Sequence, residues 1–358
     1  MSPPRAKARL PALLVGLVGA LSCGDGPRGG PAWSLGPAEA CGAAALVYAY
    51  DPDGDGIDEL VRVEGELREG TRLVWSGGAA PLPAHPQRAL AVDLDGDGRQ
   101  SLLLAVGAGP GAAGAPLQLL ELGPAGLVER WRHPGPRGQA TELRAVGGEV
   151  FLAHFDDERA VVGGFWSPDG LRAPQRAHMG MRQAPLADGR RVIGRLYGEE
   201  PRSDGDLRLL SPDGAEARLP SLRGVRALAV ANLDEDDAEE VIVGDGWHAE
   251  YGQRALARLR LLDGPDLSEG RTIAVIDGSY AVLDVTPVGA GPEACLLVHA
   301  SHSASLLCRD PLGWAAQPVG PLSEAGNVAL LRQADGFAVA TADGQCRLRP
   351  LRRTRSTG

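Results

Sequence analysis

The 358-residue chain is 44% hydrophobic, 23% charged and only 4% aromatic, with 50 glycines and 28 prolines. Its formal charge of −10 argues against a nucleic-acid partner, because phosphates need a basic surface. Lys7 is the only lysine. A G-x-x-x-x-G-K-[ST] phosphate loop and lysine Schiff-base chemistry are therefore excluded from the body of the chain.

Taken in chain order, the first feature is an export signal over residues 1–22. Arg5, Lys7 and Arg9 precede an apolar run from Leu10 to Leu21. That run is too short to cross ~30 Å of hydrocarbon as a helix, so it does not read as a membrane anchor. It ends Gly19-Ala20-Leu21-Ser22-Cys23, small residues before a cysteine. The segment resembles the bacterial lipoprotein cleavage box, which implies Cys23 as a lipidated first residue and a membrane-anchored protein of the periplasm or outer surface. Ala20 stands where the usual box has leucine, and ordinary cleavage nearby is the alternative. Residues 23–40 read as a Gly/Pro-rich tether, 41–351 as the folded body and 352–358 as a disordered tail.

The body repeats. DPDGDGIDELVRV from Asp51, DLDGDGRQSLLLAVG from Asp93 and NLDEDDAEEVIVGDG from Asn232 align in one phase. Each follows a short apolar run and leads into another. The intervening stretches keep the same strand–turn–strand rhythm, with first strands near Ala43, Arg88, Glu142, Arg182, Val225, Tyr280 and Gly326. Short apolar runs, frequent turn signals and a period of about 40–55 residues indicate an all-β fold, a single β-propeller of about four strands per blade. Seven blades fit the spacing; six or eight are the alternatives. Residues 32–36 are expected to complete the last blade, where too little chain follows Cys346 for a fourth strand.

The three acidic segments resemble FG-GAP/VCBS repeats, the type found in integrin-α-like propellers. Their pattern is D-x-[DN]-x-D-G-x-x-D followed by an apolar strand and a Gly-rich loop. The likeness implies calcium in each loop. A hard divalent cation takes six to eight oxygens, and alternate positions of a tight loop direct carboxylates into one hollow. The expected ligands of the first loop are Asp51, Asp53, Asp55, the Ile57 carbonyl and Glu59, with Gly56 permitting the turn. Those of the second are Asp93, Asp95, Asp97 and the Arg99 carbonyl, with Ser101 at position 9. Those of the third are Asn232, Asp234, Asp236, the Ala238 carbonyl and Glu240, with Asp237 in place of glycine. Plain solvated Asp/Gly turns are the competing reading. An EF-hand needs an acid at position 12, where this chain has Arg62, Leu104 and Val243, so it is excluded.

Beyond Cys23, an even set of cysteines in an exported chain favours disulfides. Cys295 and Cys308 bracket a stretch whose midpoint lies between Ser301 and His302, which places them on facing strands of a hairpin. Cys41 precedes the first blade and Cys346 lies in the last, so their union clasps the ends of the ring. Free buried thiols are the alternative for either pair.

Catalytic motifs are missing. His85, His133, His154, His178, His248, His299 and His302 show no ligand spacing, and no G-x-S-x-G elbow occurs. Trp247, His248 and Tyr251 form the most ligand-like cluster, with blade packing as their ordinary role. The sequence thus leads to a calcium-binding propeller lipoprotein that engages a protein or glycan in the cell envelope and is not an enzyme. A propeller hydrolase or lyase with a loop-built site, and a structural spacer, are the alternatives.

Overall fold

The computed structural model describes residues 33–66, 69–107, 115–135, 138–146, 148–155, 161–167, 170–176, 182–196, 206–219, 224–234, 236, 238–245, 257–310, 313–323 and 326–354. The signal segment 1–22, Cys23, Trp247, His248, Tyr251 and Asp237 lie outside them.

The described residues form a single seven-bladed β-propeller, each blade an antiparallel sheet of four strands. Two N-terminal strands, β1 (Trp33–Leu35) and β2 (Glu39–Ala44), come first. Blade 1 is β3 (Leu46–Tyr50), β4 (Glu59–Glu66), β5 (Glu69–Trp75) and β6 (Gly78–Pro81). Blade 2 is β7 (His85–Val92), β8 (Ser101–Gly107), β9 (Gln118–Gly123) and β10 (Gly126–Arg132). Blade 3 is β11 (Gln139–Val146), β12 (Glu149–Phe155), β13 (Val161–Ser167) and β14 (Gly170–Arg176). Blade 4 is β15 (Arg182–Pro185), β16 (Arg191–Gly194), β17 (Leu207–Leu210) and β18 (Glu216–Arg218). Blade 5 is β19 (Val225–Ala231), β20 (Glu240–Asp245), β21 (Ala257–Asp263) and β22 (Glu269–Ile276). Blade 6 is β23 (Val282–Val288), β24 (Cys295–Ala300), β25 (Ser303–Asp310) and β26 (Gly313–Pro321). Blade 7 is β27 (Asn327–Gln333), β28 (Gly336–Ala342) and β29 (Gly344–Arg353), completed by the N-terminal strands.

The first strand of each blade is innermost. Around the axis β3, β7, β11, β15, β19 and β23 meet in turn, and β27 returns to β3. Both faces of every sheet therefore face a neighbouring blade, which explains the near-continuous apolar runs in the second strands, such as Leu102 to Val106 and Val241 to Val243, all buried. Shared apolar clusters seal six of the seven seams. Leu73 and Leu104 lie between blades 1 and 2, Leu117 and Leu152 between 2 and 3, and Leu207 and Val243 between 4 and 5. Ile242 and Leu296 lie between 5 and 6, Leu306 and Val339 between 6 and 7, and Ala340 and Val47 between 7 and 1.

The seam between blades 3 and 4 differs. Among the described residues its contacts are polar: Arg182 Nη1 donates to Glu142 Oε2 at 2.5 Å and Arg144 Nη1 donates to the Gln183 carbonyl at 2.5 Å. The adjoining apolar cluster, Val146, Phe151, Ala153 and Val161, belongs wholly to blade 3.

Ring closure is made by the chain's two ends. The long β29 pairs with β1 near its end and with β2 near its start, so the outer strand of blade 7 is assembled from two pieces of the N-terminal segment. Among the described residues the propeller strands run from Trp33, as the expectation of a completing strand at 32–36 had it, to Arg353. Disulfide Cys41–Cys346 joins this closing pair, and Cys295–Cys308 links directly opposed residues of β24 and β25. Asn327 exchanges two hydrogen bonds with the Val47 backbone across the same closing seam, at 2.8 and 2.7 Å.

The two disulfides span 305 and 13 residues of sequence. A longer loop leaves the unfolded chain more entropy to lose on cross-linking, about 6 against about 3 kcal/mol. Replacing Cys41 and Cys346 by alanine should therefore destabilise the protein more, in denaturant titration, than replacing Cys295 and Cys308. Equal losses would contradict the entropic account of the clasp.

Candidate metal centres

Alternating strand direction places every loop between a first and a second strand on one face of the ring. The three acidic segments are such loops, in blades 1, 2 and 5. In each, three carboxylates approach closely enough to share an ion: Asp51, Asp53 and Asp55; Asp93, Asp95 and Asp97; and Asp234, Asp236 and Glu240.

Loops 1 and 2 are built alike. Asp51 accepts from the N–H groups of Gly54 at 2.8 Å and Gly56 at 2.9 Å. Asp93 accepts from Gly96 at 2.7 Å and Gly98 at 2.9 Å. Both glycines of each loop have left-handed backbones, with φ of 75° and 84° in the first and 78° and 87° in the second. Glycine at position 4 is thus as necessary as the expected glycine at position 6. A Cβ on Gly54 would also stand 3.0 Å from the Gly98 carbonyl oxygen of the adjacent loop. The position-7 residues Ile57, Arg99 and Ala238 each donate their N–H to the position-5 carboxylate, at 2.7–2.8 Å. The Gly98 N–H, supported by those of Gly96, Asp95 and Asp97, holds the Asp93 carboxyl below the usual carboxylate range against a modest opposing effect of desolvation.

Position 9 separates the loops. Glu59 was expected to close the first shell, but its carboxylate accepts from Ser76 Oγ and is not among the three clustered acids. In blade 2 the same pairing occurs with the partners exchanged, because Ser101 Oγ donates to Glu121 Oε1 at 2.8 Å. Glu121 in turn accepts from Arg130 Nε at 2.5 Å, so the Ser101 hydroxyl is committed away from the loop. Only in blade 5 does position 9 turn inward. Glu240 is 1% exposed, its Oε2 accepts from the Leu233 N–H at 2.5 Å, and its Oε1 is buried without a hydrogen-bond partner. Asn232 Oδ1 is buried and unpartnered as well, while its Nδ2 donates to the Asp236 carbonyl at 2.5 Å.

Position 8 has a common role in the three loops. Asp58 pairs with Arg332 of blade 7 at 2.7 Å, Gln100 accepts from the Asp51 N–H of blade 1 at 3.0 Å, and Glu239 accepts from the Ala187 N–H of blade 4 at 2.5 Å. Each acidic loop therefore fastens itself to the preceding blade. The following blade adds a bond to position 1 in two cases, from the Gln100 N–H to the Asp51 carbonyl at 2.6 Å and from the Gly291 N–H to the Asn232 carbonyl at 3.0 Å.

An oxygen-only donor set of carboxylates and amide, with two buried oxygens left unpaired at loop 3, matches what a calcium-sized hard cation takes. Asp263, opposite Glu240 between β20 and β21, adds a further carboxylate that sequence spacing did not reveal. Burial pushes the Glu240 carboxyl up to about 7; the Leu233 N–H opposes this, and repulsion from Asp234, Asp263 and Asp236 adds to it.

No protein family and no curated protein matches the sequence. The fold has solved counterparts. The structure of BBS1N in complex with ARL6DN gives a TM-score of 0.53 at 13% identity, covering 90% of this chain and 98% of that one. The structures of U3-55K and of the RRP9 WD40 repeats each give 0.47 at 13% identity, covering 91% and 89% of this chain and 100% and 97% of theirs. The likeness to BBS1N is one of fold: a closed ring of blades. Among the described residues no helix is long and apolar enough to cross a membrane.

The raised Glu240 carboxyl makes the metal-free protein pH-sensitive in a defined direction. Between its unfolded value near 4.5 and about 7 the folded state binds more protons than the unfolded one. The associated stability is complete below that window and is lost as pH rises through it. In chelator, Glu240→Gln should therefore melt above the parent at pH 8 and equal it at pH 4. A lower melting temperature at pH 8 would contradict the burial of an uncompensated carboxylate.

Proposed function

We propose that the protein is an exported, lipid-anchored propeller whose acidic loops bind calcium and whose ring serves as an interaction module in the cell envelope. The observation that carries the calcium reading is the third loop, where Glu240 Oε1 and Asn232 Oδ1 are buried without partners beside Asp234 and Asp236. A bound cation satisfies both oxygens and cancels the mutual repulsion of the carboxylates. The same-phase alternation of Asp51, Asp53, Asp55 and of Asp93, Asp95, Asp97 extends the reading to loops 1 and 2, with loop 3 the tightest. In this assignment Asp51, Asp53, Asp55, Asp93, Asp95 and Asp97 are ligands, Glu59 and Ser101 are not, and Asp263 is available to the third site. Calcium would supply charge neutralisation and cross-linking of turns, with no part in a reaction.

Two disulfides accord with an oxidising compartment, as export through the segment before Cys23 requires. The interaction reading rests on the fold, a rigid ring that displays loops on two faces, and on the lack of a catalytic motif. The BBS1N propeller of similar fold was solved bound to a partner protein, which is a parallel in architecture only.

Calcium titration by calorimetry tests the metal assignment. The parent should bind and melt at a higher temperature with calcium than with chelator, and Asp234→Asn should remove the tightest site. An identical melt in calcium and chelator, with no binding heat, overturns the assignment. Labelling with radioactive palmitate should mark the parent and not Cys23→Ser, and capture from solubilised envelope with and without calcium should return a partner only with the metal-loaded ring.

A further inference from the structure

The point of chain entry decides which face of the ring stands nearest to whatever holds the N-terminus. β1 pairs with the end of β29, Trp33 opposite Arg353 and Ser34 opposite Arg352. A Cβ on Gly289 would stand 3.8 Å from Trp33 Nε1, and one on Gly336 3.7 Å from Trp33 Cζ3. Gly289 follows β23 and Gly336 opens β28, so both lie where a first strand passes to a second. Trp33 therefore sits on the rim of the acidic-loop face, at the seam between blades 6 and 7. Arg353 beside it pairs with Glu293, from the corresponding loop of blade 6. Ten residue steps separate Cys23 from Trp33, a reach of at most about 35 Å when fully extended. A bilayer that holds Cys23 thus has the acidic-loop rim within that distance.

Loops 1 and 2 follow the entry point around the same face, and they differ from loop 3 in two respects. Among the described residues the exposed large apolar side chains are Ile57, at 39%, Leu94, at 37%, Val128 and Val275. Ile57 belongs to loop 1 and Leu94 to loop 2, whereas Val128 and Val275 lie on outer strands. In loop 3 the residue in phase with Leu94 is Leu233, which is 2% exposed and part of the core. The second difference is in the donors. With Glu59 held by Ser76 and Ser101 by Glu121, loops 1 and 2 each offer three carboxylates and one carbonyl. Calcium takes six to eight oxygens, so part of its shell at each loop is open to an outside oxygen. Asp53, Asp55, Asp95 and Asp97 are all exposed, which leaves that open side on the surface. The two loops also adjoin, because Gln100 accepts from the Asp51 N–H. Apolar tips beside an under-coordinated cation fit a membrane surface, where phosphates supply oxygen and the acyl boundary receives hydrocarbon. Without the metal, the carboxylates repel the same phosphates.

We propose that, with calcium bound, loops 1 and 2 dock the acidic-loop face onto an anionic phospholipid bilayer. Headgroup phosphates complete the two metal shells, and Ile57 and Leu94 enter the interface. This rests on the calcium and anchoring readings above, which are measured separately, by calcium titration without vesicles and by palmitate labelling. The full chain is mixed with vesicles of phosphatidylcholine, alone or in equal mixture with phosphatidylglycerol, in calcium or in chelator. Backbone hydrogen exchange is then read by mass spectrometry. Phosphatidylglycerol with calcium should slow exchange at 51–59 and 93–101 beyond the slowing that calcium alone gives. The β24–β25 turn at 300–303, on the opposite face, should be unchanged, and chelator should abolish the extra slowing. Ile57→Ser combined with Leu94→Ser should lose most of it, since each buried aliphatic side chain contributes roughly tenfold to such an equilibrium. That double variant should still bind calcium and melt as the parent does. Val275→Ser, on outer strand β22, should dock as the parent does. Calcium binding without extra slowing, equal slowing on phosphatidylcholine alone, slowing at 300–303 instead, or undiminished slowing in the double variant would each overturn docking and leave the calcium reading standing. A chain that binds no calcium overturns both.

Discussion

Every blade of this ring depends on its neighbours, because a sheet that is apolar on both faces has no solvent-tolerant side. A four-stranded sheet such as β7–β10 buries its faces only when blades stand on either side, and the seventh blade buries its own only when the circle is closed. Closure is therefore the condition on which the remaining features rest. The N-terminal strands β1 and β2 complete blade 7, Cys41–Cys346 fixes that pairing covalently, and Asn327 bonds the backbone of Val47 across the same joint. Separation of the two ends would expose the outer edge of β29 and the seam that holds Val47 and Ala340.

The acidic loops are parts of that circle as much as appendages to it. In loops 1 and 2 the carboxylates turn inward because glycines at positions 4 and 6 take left-handed backbones, and in all three loops position 8 reaches back to the previous blade. Loop geometry and blade contact are thus mechanically joined. An ion held as proposed by Asp234, Asp236 and Glu240 would also order the turn from which Glu239 grips Ala187 and on which Gly291 rests. Of the innermost strands, β3, β7 and β19 end in acidic turns, and Arg88 and Arg182, near the starts of β7 and β15, donate to bulge carbonyls of the next blade.

Much of this was legible in the sequence because a propeller repeats itself. The period, the strand–turn rhythm and three phased Asp/Gly loops led to seven blades, to the completing strand near residue 33 and to both cysteine pairs. Opposition of Cys295 and Cys308 followed from counting to the midpoint of a hairpin. Long-range partners were less accessible. Nothing local in the order of residues says that Glu59 turns to Ser76, that Ser101 is taken by Glu121, or that Asp263 stands opposite Glu240. Those outcomes depend on which rung of the adjoining strand lies alongside. The role of position 8 was visible in principle, since Asp58, Gln100 and Glu239 are all acceptors at one phase, but the donors they meet belong to other blades.

The polar joint between blades 3 and 4 gives the circle a preferred point of rupture. Six joints are sealed by hydrocarbon, whereas among the described residues this one is held by Glu142 between two arginines and by Arg144 on a carbonyl. Glu142 is buried, and buried pairs are screened much less than surface ones, so salt leaves this joint largely intact. Loss of the Glu142 carboxylate would instead leave Arg144 and Arg182 facing each other uncompensated, and the circle would then be weakest at this one joint.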